Sequence, residues 1–277
     1  MFGFLLVIGS SFLSEISDII GKKKMKSGEV SIYTTGFLTL VFGVLFFLFT
    51  AFSGGSFRFS VDSLPTLITR IILEIILSWV TITALARANR STFGFIRTLT
   101  IPLLLIADLI IGYAISPKQI FGIIIITAII ASFIILSGRF EKRGLGLLLL
   151  SSTLPVATLS LYKYNISNFN SVEAEQIIVS SALTIFFLLM ALFKAKENPF
   201  KFLLKPVFFL QAMAVGLASV IGSFAYLFLL PSIVIAVSRS SAVLFATLSG
   251  DFYFKENKPW LKLFIAIGIV IGLIFLV

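Results

Sequence analysis

Six charged residues sit where an apolar chain can least accommodate them. Glu15 lies well inside the run FGFLLVIGSSFLSEISDII, with Asp18 three residues on and so on the same helical face. Arg70 and Glu74 follow in LPTLITRIILEIILSW, spaced i,i+4 and close enough to neutralise each other. Arg97 and Arg239 each stand six to eight residues inside an apolar segment. An ionised side chain at the centre of a bilayer helix costs roughly 2.5–3.5 kcal/mol by insertion measurements, and such residues by default mark a site. A desolvated carboxyl such as Glu15 suits reversible proton binding. Two facing guanidiniums suit a carboxylate or phosphate group on a substrate, or serve as counter-ions to Glu15 and Glu74. The pair Arg70–Glu74 equally serves packing alone.

A weaker polar layer surrounds these. Ser151, Ser152 and Pro155 interrupt one apolar segment, while Gln211 and Tyr226 lie in another. Ser151, Arg70, Gln211 and Tyr226 are candidate cavity-lining residues, although Ser and Gln also join helices by hydrogen bonding. Pro102 and Pro155 remove backbone donors inside helical runs and are expected to bend them. Asp108 and Asp251 lie near segment ends and read as helix-end or loop-ordering groups, and Asp18 as an interfacial residue beside Lys22, Lys23 and Lys24.

The elements that must position these groups follow from composition. Of the 277 residues 58% are hydrophobic and only 12% charged, with 31 Phe and a mean hydropathy of +1.12. Soluble domains average about 45–50% apolar and about 25% charged, so this is a polytopic membrane sequence. Cys and His are both absent. That removes disulfides, thiolate ligands and the commonest general base and metal ligand, so no metal site, cofactor or enzymatic activity is expected. Phosphate loops, dinucleotide glycine patterns and serine elbows are missing too.

Segments of about 20 apolar residues span roughly 30 Å of hydrocarbon. Ten are read here: Phe2–Ile20, Val30–Phe52, Leu64–Leu85, Thr92–Tyr113, Gln119–Ser137, Gly144–Lys163, Val172–Phe193, Pro206–Leu230, Ser232–Phe252 and Pro259–Val277. The first lacks a basic leader and a small-residue cleavage site and reads as a retained helix. The net charge of +10 is distributed unevenly, with sixteen of the 22 Lys and Arg in odd-numbered connections and three in even-numbered ones. Basic loops stay cytoplasmic, which places both termini outside and argues against nucleic acid as a partner. A shift of 143 residues lays Asp108 over Asp251 and brings Arg97 to within one residue of Arg239. Two halves, 1–138 and 139–277, each of five segments, must insert with opposite orientation, a common construction of secondary transporters.

The pattern resembles the drug/metabolite transporter superfamily, in its EamA-like ten-helix members. The likeness rests on IPLLLIADLIIGYAISPKQIFG in the first half, with Pro102, Gly112 and the SPKQIFG turn, and on LFATLSGDFYFKENKPWLKLF in the second. The family's Gly-Glu pair departs here: Glu256 stands in the second half, but Tyr113 takes the place in the first, and Phe245 replaces the second proline. FLSEISDIIGKKKMKSGE also resembles the first helix of the small multidrug resistance proteins, whose Ala-Glu dipeptide holds proton and substrate. Ser14-Glu15 matches it, which makes Glu15 the first choice for a proton- or cation-binding residue.

The fold expected is therefore all-α, ten transmembrane helices in two inverted five-helix repeats, multi-pass in the cell membrane, as monomer or homodimer. The activity implied is secondary transport of a small metabolite or drug-like solute by alternating access, with possible proton coupling. Glu15, Arg97, Arg239 and Glu74 would bind substrate or proton. An uncoupled channel or a lipid scramblase or flippase would use the same helices.

Overall fold

The structure is a computed structural model that describes residues 1–87, 96–137, 145–254 and 259–276. Among these residues it is all-helical, without strands. The α-helices are α1 (Phe2–Lys26), α2 (Ile32–Gly54), α3 (Leu64–Arg87), α4 (Thr100–Ile111), α5 (Pro117–Ser137), α6 (Leu145–Asn168), α7 (Val172–Met190), α8 (Pro199–Leu203), α9 (Pro206–Phe228), α10 (Pro231–Phe254) and α11 (Pro259–Leu276). Helices are the required answer for an apolar chain outside water, because every backbone group then finds its partner within one segment. Six of them, near the expected segments 1, 2, 3, 6, 7 and 8, are long and apolar enough to cross a membrane.

The starts are set by local chemistry. Ser31 and Ser171 cap α2 and α7 by accepting the backbone N–H of Thr34 and Ala174. Prolines open α5, α8, α9, α10 and α11, where a missing N–H costs nothing. The short α8 escaped the sequence reading; its signal was Asn198 before Pro199, whose side chain accepts the Phe200 N–H at 3.0 Å.

The bundle exposes large apolar side chains and buries polar ones beside its apolar core. Phe49, Phe193 and Ile110 are 70–79% exposed, whereas Glu175, Ser152, Asn165 and Asp108 are wholly buried. Water would reward the reverse distribution; hydrocarbon rewards this one.

The principal helix contacts are α1 with α9 and α10, α2 with α7 and α9, α3 with α6 and α7, α4 with α6 and α10, and α5 with α11. Small residues permit the closest of them. A Cβ on Gly216 would meet the backbone of Phe42 at 2.9 Å, and one on Gly122 the Gly272 carbonyl at 2.8 Å. Gly222 lies against Ser10, whose hydroxyl donates to the Ala218 carbonyl at 2.8 Å, so the small-residue series of α9 packs on α1.

The two prolines expected to bend helices sit differently. Pro155 lies inside α6, which runs from Leu145 to Asn168. Near Pro102 the helix is broken rather than kinked, and the break lies upstream, at Thr98–Leu99. Pro102 has no N–H to offer Thr98, so the Thr98 carbonyl accepts from Ile101 at 2.9 Å in a tighter turn. The Ile96 carbonyl, which takes the Leu99 N–H at 3.1 Å in the turn, also accepts the Ser152 hydroxyl at 2.7 Å, and Thr100 donates to the Ser152 carbonyl at 2.8 Å. A neighbouring helix thus satisfies the groups that the break exposes.

Candidate functional site

The first cluster forms at that break. Arg97, just upstream of it, lies within electrostatic reach of Asp18 on α1 and of Arg239 on α10, and Arg239 also senses Asp18 and Tyr226. Arg97, Arg239 and Asp18 are all partly buried. Two guanidiniums therefore lie within electrostatic reach of one another, with Asp18 as a counter-charge near both. Asp18, read from sequence as an interfacial residue beside Lys22–Lys24, lies partly buried and within electrostatic reach of both guanidiniums. Glu15 lies on the same face of α1, half-buried and one turn away.

The second cluster is larger and was largely missed. Arg70 on α3 is 3% exposed, and its Nη1 donates to Glu175 Oε1 on α7 at 2.8 Å. Glu175 also accepts from Asn165 Nδ2 at 2.8 Å and from Asn170 Nδ2 at 2.7 Å. The Arg70 guanidinium stacks over the Tyr162 ring at 4.4 Å. Tyr162 donates to the Ser223 carbonyl at 3.0 Å, and Gln176 Nε2 to the Ser223 hydroxyl at 2.9 Å. Each buried polar group thus ties α3, α6, α7 or α9 to another. The i,i+4 pair read from sequence is the weaker one: Arg70 Nε stands 4.0 Å from Glu74 Oε1. Glu173, Glu175 and Gln176 fall in the first turns of their segment and were not singled out from the sequence; only folding shows Glu175 with no exposed surface. The Ser171-x-x-Ala174-Glu175 start, polar and then abruptly apolar, was the available signal.

Tyr226 joins the two clusters. It is buried, packs edge-on against Tyr162 at 5.2 Å between ring centres, and lies within electrostatic reach of Arg239, Glu74 and Arg70. Other candidates lie elsewhere. Ser151 donates back to the Leu148 carbonyl of its own helix at 2.7 Å. Gln211 is buried between α9 and α1, its amide facing Gly21. Asp108, read as a helix-end or loop-ordering group, is fully buried and accepts the Ser232 backbone N–H at 2.9 Å, where the N-terminus of α10 favours negative charge. The side chain of Asp251 lies outside the described residues. Among the described residues no three acidic groups converge as a metal site would require.

No protein-family model matches the chain, and no curated protein does. A crystal structure of a protein of unstated function is similar over 99% of this chain and 96% of its own, with a TM-score of 0.71 and 15% identity. At that identity the likeness concerns the fold alone.

Proposed function

We propose that the protein is a multi-pass secondary transporter that moves a small metabolite or drug-like solute across the cell membrane by alternating access. The observation that carries this reading is the pairing of Arg97 with Arg239 beside Asp18 at a broken helix inside an apolar bundle. Like charges held together out of water are costly, and discontinuous helices line transporter sites, where freed backbone groups face a cavity. Arg97 and Arg239 hold or screen the solute's anionic groups, and Asp18 and Glu15 form the facing wall.

Ten spans in two inverted repeats are supported by the contact pattern. Exchanging α1 to α5 with α6, α7, α9, α10 and α11 turns the α1–α9 contact into α6–α3. The same exchange turns α2–α9 into α7–α3 and α1–α10 into α6–α4, while α2–α7, α4–α10 and α5–α11 map onto themselves. The serine caps Ser31 and Ser171 exchange as well, and each binds a connection from the other half: Ser31 Oγ donates to Glu197 at 2.7 Å, and Ser171 N donates to the Arg58 carbonyl at 2.8 Å. We place this fold in the drug/metabolite transporter superfamily.

The test uses purified protein and vesicles. A ligand that binds only the folded protein stabilises it by RT ln(1 + [L]/Kd), about 2.7 kcal/mol at a hundredfold excess over Kd. Screening metabolite classes by thermal unfolding at two pH values should find one that stabilises the wild type and not Arg97→Ala or Arg239→Ala. That solute should then accumulate in vesicles against its gradient. Flux that only ever runs downhill would instead mark an uncoupled channel or scramblase.

A further inference from the structure

The second cluster holds two carboxylates on one guanidinium, and the two are unequal. Glu175 has three side-chain donors within 2.8 Å and no exposed surface. One guanidinium and two amide donors at that length occupy its two oxygens. Glu74 stands at 4.0 Å from Arg70 Nε, beyond hydrogen-bond distance, and that Nε has no hydrogen-bond partner.

The groups that face Glu74 add no second cation. Around the Arg70–Glu74 pair stand Thr158 and Tyr162 of α6, Glu175 and Gln176 of α7 and Tyr226 of α9, all neutral or anionic, while Lys163 of α6 donates to the Tyr226 carbonyl and lies within electrostatic reach of Asp108. Helix α2 contains no charged residue, and the acidic groups of α1, Glu15 and Asp18, are of the same sign. Arg239 lies beyond Tyr226. Thr158 lies within hydrogen-bond reach of Glu74: its hydroxyl can donate to the carboxylate, or keep its proton on the Pro155 carbonyl at 3.4 Å and accept a carboxylic O–H from Glu74.

We propose that Glu74, rather than Glu15, carries the transported or coupling proton, with Glu175 neutralising Arg70 while Glu74 is protonated; this rests on the transport reading above. Loss of the proton to water leaves an anion that competes with Glu175 for Arg70. The Arg70–Glu175 bond joins α3 to α7, so the protonation state of Glu74 decides how firmly those helices are held.

Infrared difference spectroscopy of the full chain in lipid, with carbon-13 glutamate so that Asp108 does not overlap, reads the proton directly. The wild type should show the carbonyl band of a protonated glutamic acid. That band should vanish in Glu74→Gln and persist in Glu15→Gln. It should also be lost in Glu175→Gln, where Arg70 is released to pair with an intact Glu74; a packing role for Glu74 would not produce that loss. A wild type without the band, a band that survives Glu74→Gln or Glu175→Gln, or one removed by Glu15→Gln would each overturn the proposal. The wild-type measurement stands even if a variant fails to fold. A glutamate band with these properties in a protein that moves no solute would refute the transport reading and leave the proton site intact.

Discussion

At the scale of single residues, the interior of this protein is decided by partners distant in sequence. Arg70 and Glu74 are near neighbours on one helix, yet Arg70 is neutralised by Glu175, held by Asn165 and Asn170. Removing one member of a buried pair strands the other, at a cost of about 3–5 kcal/mol, whereas replacing both by apolar groups is often near neutral. Arg70→Leu and Glu175→Leu should each lower stability by that amount, and the double variant by clearly less than their sum. Denaturant unfolding of all three in detergent measures the cycle. Outside the helical spans, Glu29 gives a pH signature. Hydrogen bonds from Lys24, then Lys205, hold its carboxyl below the usual glutamate range. A depressed folded value contributes stability that is complete above the unfolded value and disappears as pH falls through the folded one. Glu29→Gln should therefore melt lower than wild type at neutral pH, with the difference vanishing in acid.

At the scale of elements, the apolar runs gave helix positions well because each must satisfy its own backbone in hydrocarbon. Helix ends extended beyond the apolar stretch, as α1 does to Lys26 and α6 to Asn168, because polar residues continue the hydrogen-bond ladder into the interface. Pro102 marked the correct segment for a distortion but not its form. The break at Thr98–Leu99 is tolerated because Ser152 of α6 donates its hydroxyl to the Ile96 carbonyl and accepts the Thr100 hydroxyl on its own carbonyl, and that partner belongs to another helix. Close helix contact is testable at Gly216, where an added Cβ meets backbone atoms of α2 that cannot rotate away. Gly216→Ala should destabilise by about 1–3 kcal/mol through overpacking. Gly9, with nothing within 4 Å of a Cβ, should accept Ala without loss and gain up to about 1 kcal/mol of helix propensity. Paired thermal melts of the two variants separate crowding from propensity.

For the whole molecule, the proposed topology puts the Gly55–Ser60 and Phe169–Ser171 connections outside and the Ser27–Ser31 and Lys196–Lys205 connections inside. The first pair is tied by Arg58 and Ser171 and by Ser60 N–H donating to Asn170 Oδ1 at 3.0 Å. The second pair is tied by Glu197 and by Lys205, which donates to Glu29 at 3.2 Å. The native chain has no cysteine, so single cysteines report cleanly. In intact cells a membrane-impermeant thiol reagent should label Gly55→Cys but not Ser27→Cys, and both after permeabilisation. The opposite labelling would reverse the orientation drawn from loop charge.

The sequence alone determined that this chain is helical and apolar, where its segments fall, and that Arg70, Arg97 and Arg239 lie within them. Those properties are local: apolar length and backbone self-satisfaction do not depend on neighbours. Only the tertiary structure decided that Arg70 belongs to Glu175 and that Asp18 stands beside Arg97 and Arg239. It alone placed Tyr226 between the two charged groups. Charge pairing in an apolar interior depends on distance in space, and segments over a hundred residues apart meet only when the helices pack.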